Sequence, residues 1–275
     1  MSTGSVTLST SISQSLTSLK ATQSLLDDTS YRLATGKKVN SAIDDPLNYF
    51  AADEHTQQAS DLQVLKDAMS EGIETINAAD AGITGISDLI DQAKSLAKSA
   101  QSTSDADDRL SYMNQYNAIL GQIDDMAEDS GYSGINLLGG ATEELEITFN
   151  EDGSSSITIT GIDASSTGLG LIQQTGTTDW ADTDIEAAIT ALDDAKSTLR
   201  TGAKTLSSQL SIVTNRQDFT DSMITLLEEG AANLVNADTT EEGVKLTTLE
   251  TQQSLAVQAL SIASNASQAV LNLFS

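Results

Sequence analysis

The sequence predicts a mainly α fold, with long antiparallel helices in a coiled coil and a helical bundle, and one small β-hairpin. Three observations carry this expectation. Proline, the residue a helix interior tolerates least, occurs once in 275 residues. Apolar residues recur at alternating steps of three and four along most of the chain. Only in the middle does the period change to two, on either side of a turn that contains Asp-Gly.

The first seam runs through Ile12, Leu16, Leu19, Gln23, Leu26, Ser30 and Leu33, a heptad pattern with two polar interruptions. The second is stronger. Leu62, Leu65, Met69, Gly72, Ile76, Ala79, Ile83, Ile86, Ile90, Ala93, Ala97 and Ala100 step by three and four without a break, which predicts a helix of roughly 60 Å. A third helix is expected from about Asp105 to Asp129, with Leu110, Met113, Leu120, Ile123 and Ala127 inward.

Leu145, Ile147 and Phe149 then alternate with polar residues, as do Ile157 and Ile159, with Asn150-Glu151-Asp152-Gly153 between them. This is a hairpin over about 145–160. Segment 161–183, rich in Gly, Ser, Thr and Asp, reads as irregular surface chain. A long helix resumes at Ile185 and keeps its seam to Leu234. The last seam is Leu249, Gln253, Ala256, Leu260, Ala263, Ser267, Val270 and Phe274. An amphipathic helix needs a partner for its apolar face, and the simplest partner for one terminal helix is the other.

Composition narrows function. The net charge is −27, from 40 acidic and 13 basic residues. No basic stripe exists to displace counterions, so nucleic acid is not an expected partner, and neither is an anionic membrane surface. Cysteine is absent, which removes disulfides, thiolate metal sites and cysteine nucleophiles. Hydrophobic residues make up 39% but aromatic residues only 4%, so the core must be aliphatic. The first residues lack the basic and apolar regions of a secretory signal peptide.

Candidate chemistry is sparse. His55 is the only histidine, so no histidine cluster or triad is available, and it reads as a surface residue. Asp44-Asp45 reads as a loop that caps the following helix. Asn150–Gly153 is too short for a Ca²⁺ loop of EF-hand spacing. Asn265-Ala266-Ser267 fits the glycosylation pattern by chance inside a seam. Trp180 is expected to pack onto the hairpin. Neither catalytic residues, metal ligands nor a cofactor are expected.

Four stretches carry a resemblance. Arg32-Leu33-Ala34-Thr35-Gly36-Lys37-Lys38-Val39-Asn40-Ser41-Ala42-Ile43-Asp44-Asp45 resembles the RLSSGxRINSAxDD stretch of bacterial flagellins. Residues Ala263 to Phe274 are similar to the flagellin ending AxANQxPQxVLxLL. Gly131-Tyr132-Ser133-Gly134-Ile135-Asn136-Leu137-Leu138 is similar to FNGxxLL, and Thr167-Gly168-Leu169-Gly170-Leu171 to TLGL. Pro46, Ser267 and Ser275 depart from the family pattern.

The resemblance implies a structural subunit of the extracellular flagellar filament, secreted and not an enzyme. Residues 1–45 and 236–275 would form the inner coiled-coil domain lining the lumen. Residues 46–235 would form the next domain outward, without the outer domains that many flagellins insert after TLGL. Partners would be further copies of the chain, the export apparatus, an export chaperone and the filament cap. The expected assembly residues are Ile12, Leu16, Leu19, Leu26, Leu33, Leu249, Leu260, Val270 and Phe274. Sugars, where attached, are expected on Ser154, Ser155, Ser156, Ser165, Ser166 and Thr167. Flagellins recognised by the vertebrate Toll-like receptor carry an LQRxREL stretch whose first Arg touches the receptor. Aligning on Leu96 places Gln92 at that contact, so weak activation is expected. A hook–filament junction protein, with similar ends, and a cytosolic coiled-coil scaffold are the alternatives.

Overall fold

The computed structural model describes residues 3–176 and 179–273, with side-chain surroundings over 12–176 and 179–266. The elements run α1 (Thr3–Thr35), α2 (Pro46–Ser102), α3 (Ala106–Asp129), β1 (Glu144–Thr148), β2 (Ser156–Thr160), α4 (Asp182–Val235) and α5 (Thr239–Leu273). They form two compact units. The terminal unit holds residues 1–58 and 226–275, and the middle unit holds residues 59–225. Helices α2 and α4 each contribute to both.

The middle unit is held by an aliphatic core. Met69, Ile76, Ile83, Ile86 and Ile90 of α2, Leu120 and Ile123 of α3, and Ile185, Leu192, Leu199 and Leu206 of α4 are all buried in one cluster. The seams of α2 and α4 are therefore where the three-and-four period puts them. Along their rims, Lys66 pairs with Asp221, Lys94 with Asp193 and Lys196 with Asp91. Such exposed pairs add little energy, but they fix the antiparallel register of α2 and α4.

Capping explains the ends of α3. Asp105 accepts hydrogen bonds from the backbone N–H groups of Asp107 and Asp108, as an N-cap should. At the other end, the Asn136 amide donates to the carbonyls of Ala127 and Glu128, and its oxygen accepts from Leu138 N–H. The stretch from Gly131 to Leu138 thus folds back over the helix C-terminus. Ser133 and Gly134, both with positive φ, make the turn, and Leu137 and Leu138 enter the core.

Strands β1 and β2 pair antiparallel, with Leu145 opposite Ile159 and Ile147 opposite Ile157. The hairpin lies close against α2 at Gly72, where a Cβ would stand 2.4 Å from Ile147 Cδ1. Gly82 is equally confined, because a Cβ there would meet Ser130 Oγ at 2.2 Å and Leu138 Cδ1 at 2.6 Å. Gly121 of α3 has nothing within 4 Å. Gly121→Ala is therefore expected to stabilise by about 1 kcal/mol, and Gly82→Ala to destabilise by about 1–3 kcal/mol through overpacking. Urea unfolding of the two variants checks both signs.

Segment 161–183 corrects two expectations. Its described residues before α4 begins at Asp182 are irregular, but they are not all at the surface: Ala164, Ser166, Leu169, Leu171 and Trp180 are buried. Three polar clasps bind it to α3. Asp124 accepts from Ser166 N–H and Oγ. Asn117 exchanges two hydrogen bonds with the Gln174 backbone. Arg109 donates to the Trp180 carbonyl and pairs with Asp182. Trp180 accordingly packs on Tyr116 of α3, with ring centroids 5.2 Å apart, rather than on the hairpin. Alternating apolar and small residues hid this burial from a periodicity reading, since an irregular strap has no period.

Candidate assembly surface

In the terminal unit, α1 and α5 run antiparallel. Gln253 donates to Gln23, Arg32 lies 3.9 Å from Glu242, and Lys37 bridges Asn236. That register sets Ile12 opposite Ala263, Ser15 opposite Leu260, Leu19 opposite Ala256 and Thr29 opposite Leu246. A large residue meets a small one in each of these four layers, while Leu26 falls opposite Leu249. The half-buried or buried line on α1 is Ile12, Ser15, Leu19, Thr22, Leu26, Thr29 and Leu33.

This corrects the α1 seam. Leu16 is 44% exposed, and Gln23 and Ser30 are exposed too, although Gln23 still bonds Gln253. Ser15, Thr22 and Thr29 take the half-buried or buried positions between the leucines. Ile12, Leu19, Leu26, Leu33 and Leu260 are half-buried, and Leu249 is buried. Val270 lies in α5 but its side chain is outside the described residues, as is Phe274.

The loop between α1 and α2 is built by its motif. Gly36 ends α1 with φ 69°, the left-handed cap that glycine favours. Lys38 and Val39 N–H donate to Val235 O, and Ala237 N–H donates to Gly36 O. The Asp44 carboxylate accepts from the N–H groups of Asn40 and Ser41, and those bonds hold it below its ordinary pKa. Asp45 accepts from Asn48 N–H, so it caps α2, and Pro46 occupies the first helical position, where its missing N–H costs nothing. The expected capping role of Asp44-Asp45 is what the geometry shows. At the start of α5, Asp238 does the same for Glu241 and Thr240 and is likewise lowered.

His55 is half-buried rather than on the surface, since a Cβ at Gly230 would stand 3.6 Å from its ring, and its Nδ1 has no partner. Gln92 is exposed on α2. Of the candidate sugar positions, Ser154, Ser156 and Thr167 are exposed, and Ser155 and Ser165 are half-buried. Ser166 is excluded as an acceptor in the folded chain, because it is 5% exposed and its hydroxyl bonds Asp124.

What distinguishes the terminal unit is unburied apolar surface. Among the described residues only Val39, Ala52, Ala231 and Leu249 are buried apolar residues there, whereas Leu16, Leu25, Tyr31, Ile43, Leu47, Phe50, Leu226, Val244, Leu255, Val257 and Ile262 are exposed. Monomers seldom leave so much apolar surface in water unless a partner covers it. Charge follows the same division. The terminal unit has 12 acidic and 5 basic residues, the middle unit 28 and 8. Residues 1–19 and 251–275 contain no Asp, Glu, Lys or Arg at all. These ends can be enclosed by other copies without the cost of burying charge.

Comparison with known proteins shows what the chain is similar to. The family model of the bacterial flagellin N-terminal helical region matches residues 7–143, and that of the bacterial flagellin C-terminal helical region matches residues 183–274. Flagellin FljO of Caulobacter vibrioides is 32% identical, over 94% of this chain and 94% of its own length. A flagellin of Brucella melitensis is 28% identical, over 98% and 99%. Among solved structures, the Bacillus cereus flagellin superposes with a TM-score of 0.46 at 23% identity, covering 57% of this chain and 88% of that one.

Proposed function

The chain belongs to the bacterial flagellin family, and from that we propose how it works as the structural subunit of a flagellar filament. The two terminal helices are the polymerising element. The observation that carries this is the terminal unit's exposed apolar surface, together with its charge-free ends. In a monomer those faces stay wet. In a polymer each copy covers its neighbours, at about 25 cal/mol for every Å² of apolar surface removed from water. The seam residues Ile12, Leu19, Leu26, Leu33, Leu249 and Leu260 hold α1 to α5, and Val270 and Phe274 complete the proposed assembly set. Leu16, Leu25, Leu255 and Ile262 face the next copies. Electron microscopy of the purified chain, concentrated above its critical concentration, is the direct test. Failure to form filaments under any condition would falsify the reading.

The short middle unit suits a minimal filament wall, and the chain reaches the extracellular filament through the export apparatus, an export chaperone and the cap. Assembly is expected to run faster at moderate salt than at very low salt. The middle unit alone carries a net charge of −20, and screening over about 10 Å at 0.1 M relieves repulsion between stacked copies. Light scattering across a salt series checks this, and fastest growth at the lowest salt contradicts it.

The chain is also expected to activate the vertebrate flagellin receptor weakly. Exposed Gln92 offers a neutral amide where recognised flagellins present a guanidinium with five donors. A receptor reporter assay with Gln92→Arg beside the unmodified monomer should show a gain of at least tenfold in the variant. Equal potency of the two rejects the assignment.

A further inference from the structure

The loop after α1 and the first turns of α2 carry a feature that the seams do not explain. Ile43 is 93% exposed, Leu47 80% and Phe50 60%. Leu47 and Phe50 share a face of the first turns of α2, and Ile43 is exposed in the loop that leads into it; we treat the three together as one apolar knob. Beside it, in the same unit, lies a hollow of about 380 Å³ lined by Val39, Tyr49, Ala52, Ala231, Ala232 and Val235, with Lys37 and Asp53 among its polar residues. Ala52, Ala231, Ala232, Val39 and Val235 give it an apolar floor, while Lys37, Asn40, Asp53, Thr56 and Asn236 add polar groups to its lining.

Knob and hollow use different faces of α2. At 100° per residue, Leu47 and Phe50 point about 140° away from Tyr49, Ala52, Asp53 and Thr56. No rotation of side chains brings a chain's own knob into its own hollow. A two-fold dimer that satisfied both would have to fold this face onto itself. Repetition of one head-to-tail contact satisfies every copy and does not close, which is the contact type that generates filaments. Charge agrees with the pairing. Asp44 and Asp45 flank the knob, and the hollow carries Lys37 beside Asp53, with Lys38, whose ammonium donates to the Asn233 carbonyl, next to it. Lys37 and Lys38 are two of only five basic residues in the terminal unit.

We propose that the Ile43–Leu47–Phe50 knob of one copy seats in the Ala231–Ala232 hollow of the next, as a head-to-tail contact between subunits. This rests on the filament reading and names one contact within it. The chain has no cysteine, so the test is direct. Ile43→Cys and Ala232→Cys are made singly and together, and each is assembled and treated with a short bis-maleimide. The double variant is expected to give a ladder of dimers, trimers and higher species, and each single variant to stay monomeric. A double variant without a ladder, when the unmodified chain forms filaments, overturns the contact and leaves the filament reading intact. Dimers from Ile43→Cys alone mean knob-to-knob pairing and also overturn it. A ladder without filaments from the unmodified chain supports the contact and removes the filament reading. As a second measurement, Ile43→Glu with Leu47→Glu should leave the melting temperature unchanged, because both sites are exposed, and raise the critical concentration at least tenfold. An unchanged critical concentration overturns the proposal.

Discussion

Removal of residues 1–30 or of residues 250–275 is expected to leave a folded helical monomer that no longer forms filaments. The two units differ in what holds them. The middle unit closes its core with Met69, Ile76, Ile86, Ile90, Leu120, Ile123, Leu192 and Leu199, none of which lies in the deleted segments. The terminal unit relies on α1 against α5, with Ile12, Leu19, Leu26 and Leu33 on one helix and Leu249 and Leu260 on the other. Deleting one helix strips the other of its partner, and a lone amphipathic helix gains little from its backbone alone. Far-ultraviolet circular dichroism should retain the signal of α2, α3 and α4, and a cooperative thermal transition should persist. Sedimentation should show monomer at concentrations where the full chain polymerises. Normal filaments from either truncation would reject the role given to the terminal helices. Loss of the thermal transition would instead show that the middle unit depends on the ends.

How much of this was legible depended on period. Helices α2 and α4 are buried along the very positions whose spacing predicted them, from Leu65 to Ala100 and from Ile185 to Ala231. The hairpin and its Asp-Gly turn stand where alternation placed them. For α1 the period was right and so was half of the seam: Ile12, Leu19, Leu26 and Leu33 lie on the half-buried line, while Leu16, Gln23 and Ser30 give way to Ser15, Thr22 and Thr29. Segment 161–183 was opaque for another reason. Its burial rests on single residues, Ser166 on Asp124 and Gln174 on Asn117, whose partners lie 42 and 57 positions away. Nothing local marks such pairs. The knob at Ile43 was hidden inside a motif read for its carboxylates.

Trp180→Ala is expected to destabilise the middle unit by about 3–5 kcal/mol, the usual cost of truncating a large buried aromatic. The indole is 1% exposed and lies on Tyr116, which is fully buried. It anchors the strap at the point where Arg109 donates to its carbonyl, so its loss leaves a void and frees the chain before α4. Two gentler variants separate packing from polarity. Neither Trp180 Nε1 nor the Tyr116 hydroxyl has a hydrogen-bond partner among the described residues. Burial also pushes the Tyr116 phenol up to about 12, as desolvation of the charged form requires. Tyr116→Phe therefore removes a polar atom that makes no bond, and it should be neutral or stabilising by up to about 1 kcal/mol. Trp180→Phe keeps a ring on Tyr116 and should cost less than the alanine variant by about 2 kcal/mol. Urea unfolding followed by circular dichroism measures all three, since the alanine variant has no tryptophan to report. A loss below about 1 kcal/mol in Trp180→Ala would mean that the strap is held by its polar clasps alone. A large loss in Tyr116→Phe would mean that its hydroxyl bonds a buried group or water and is not idle.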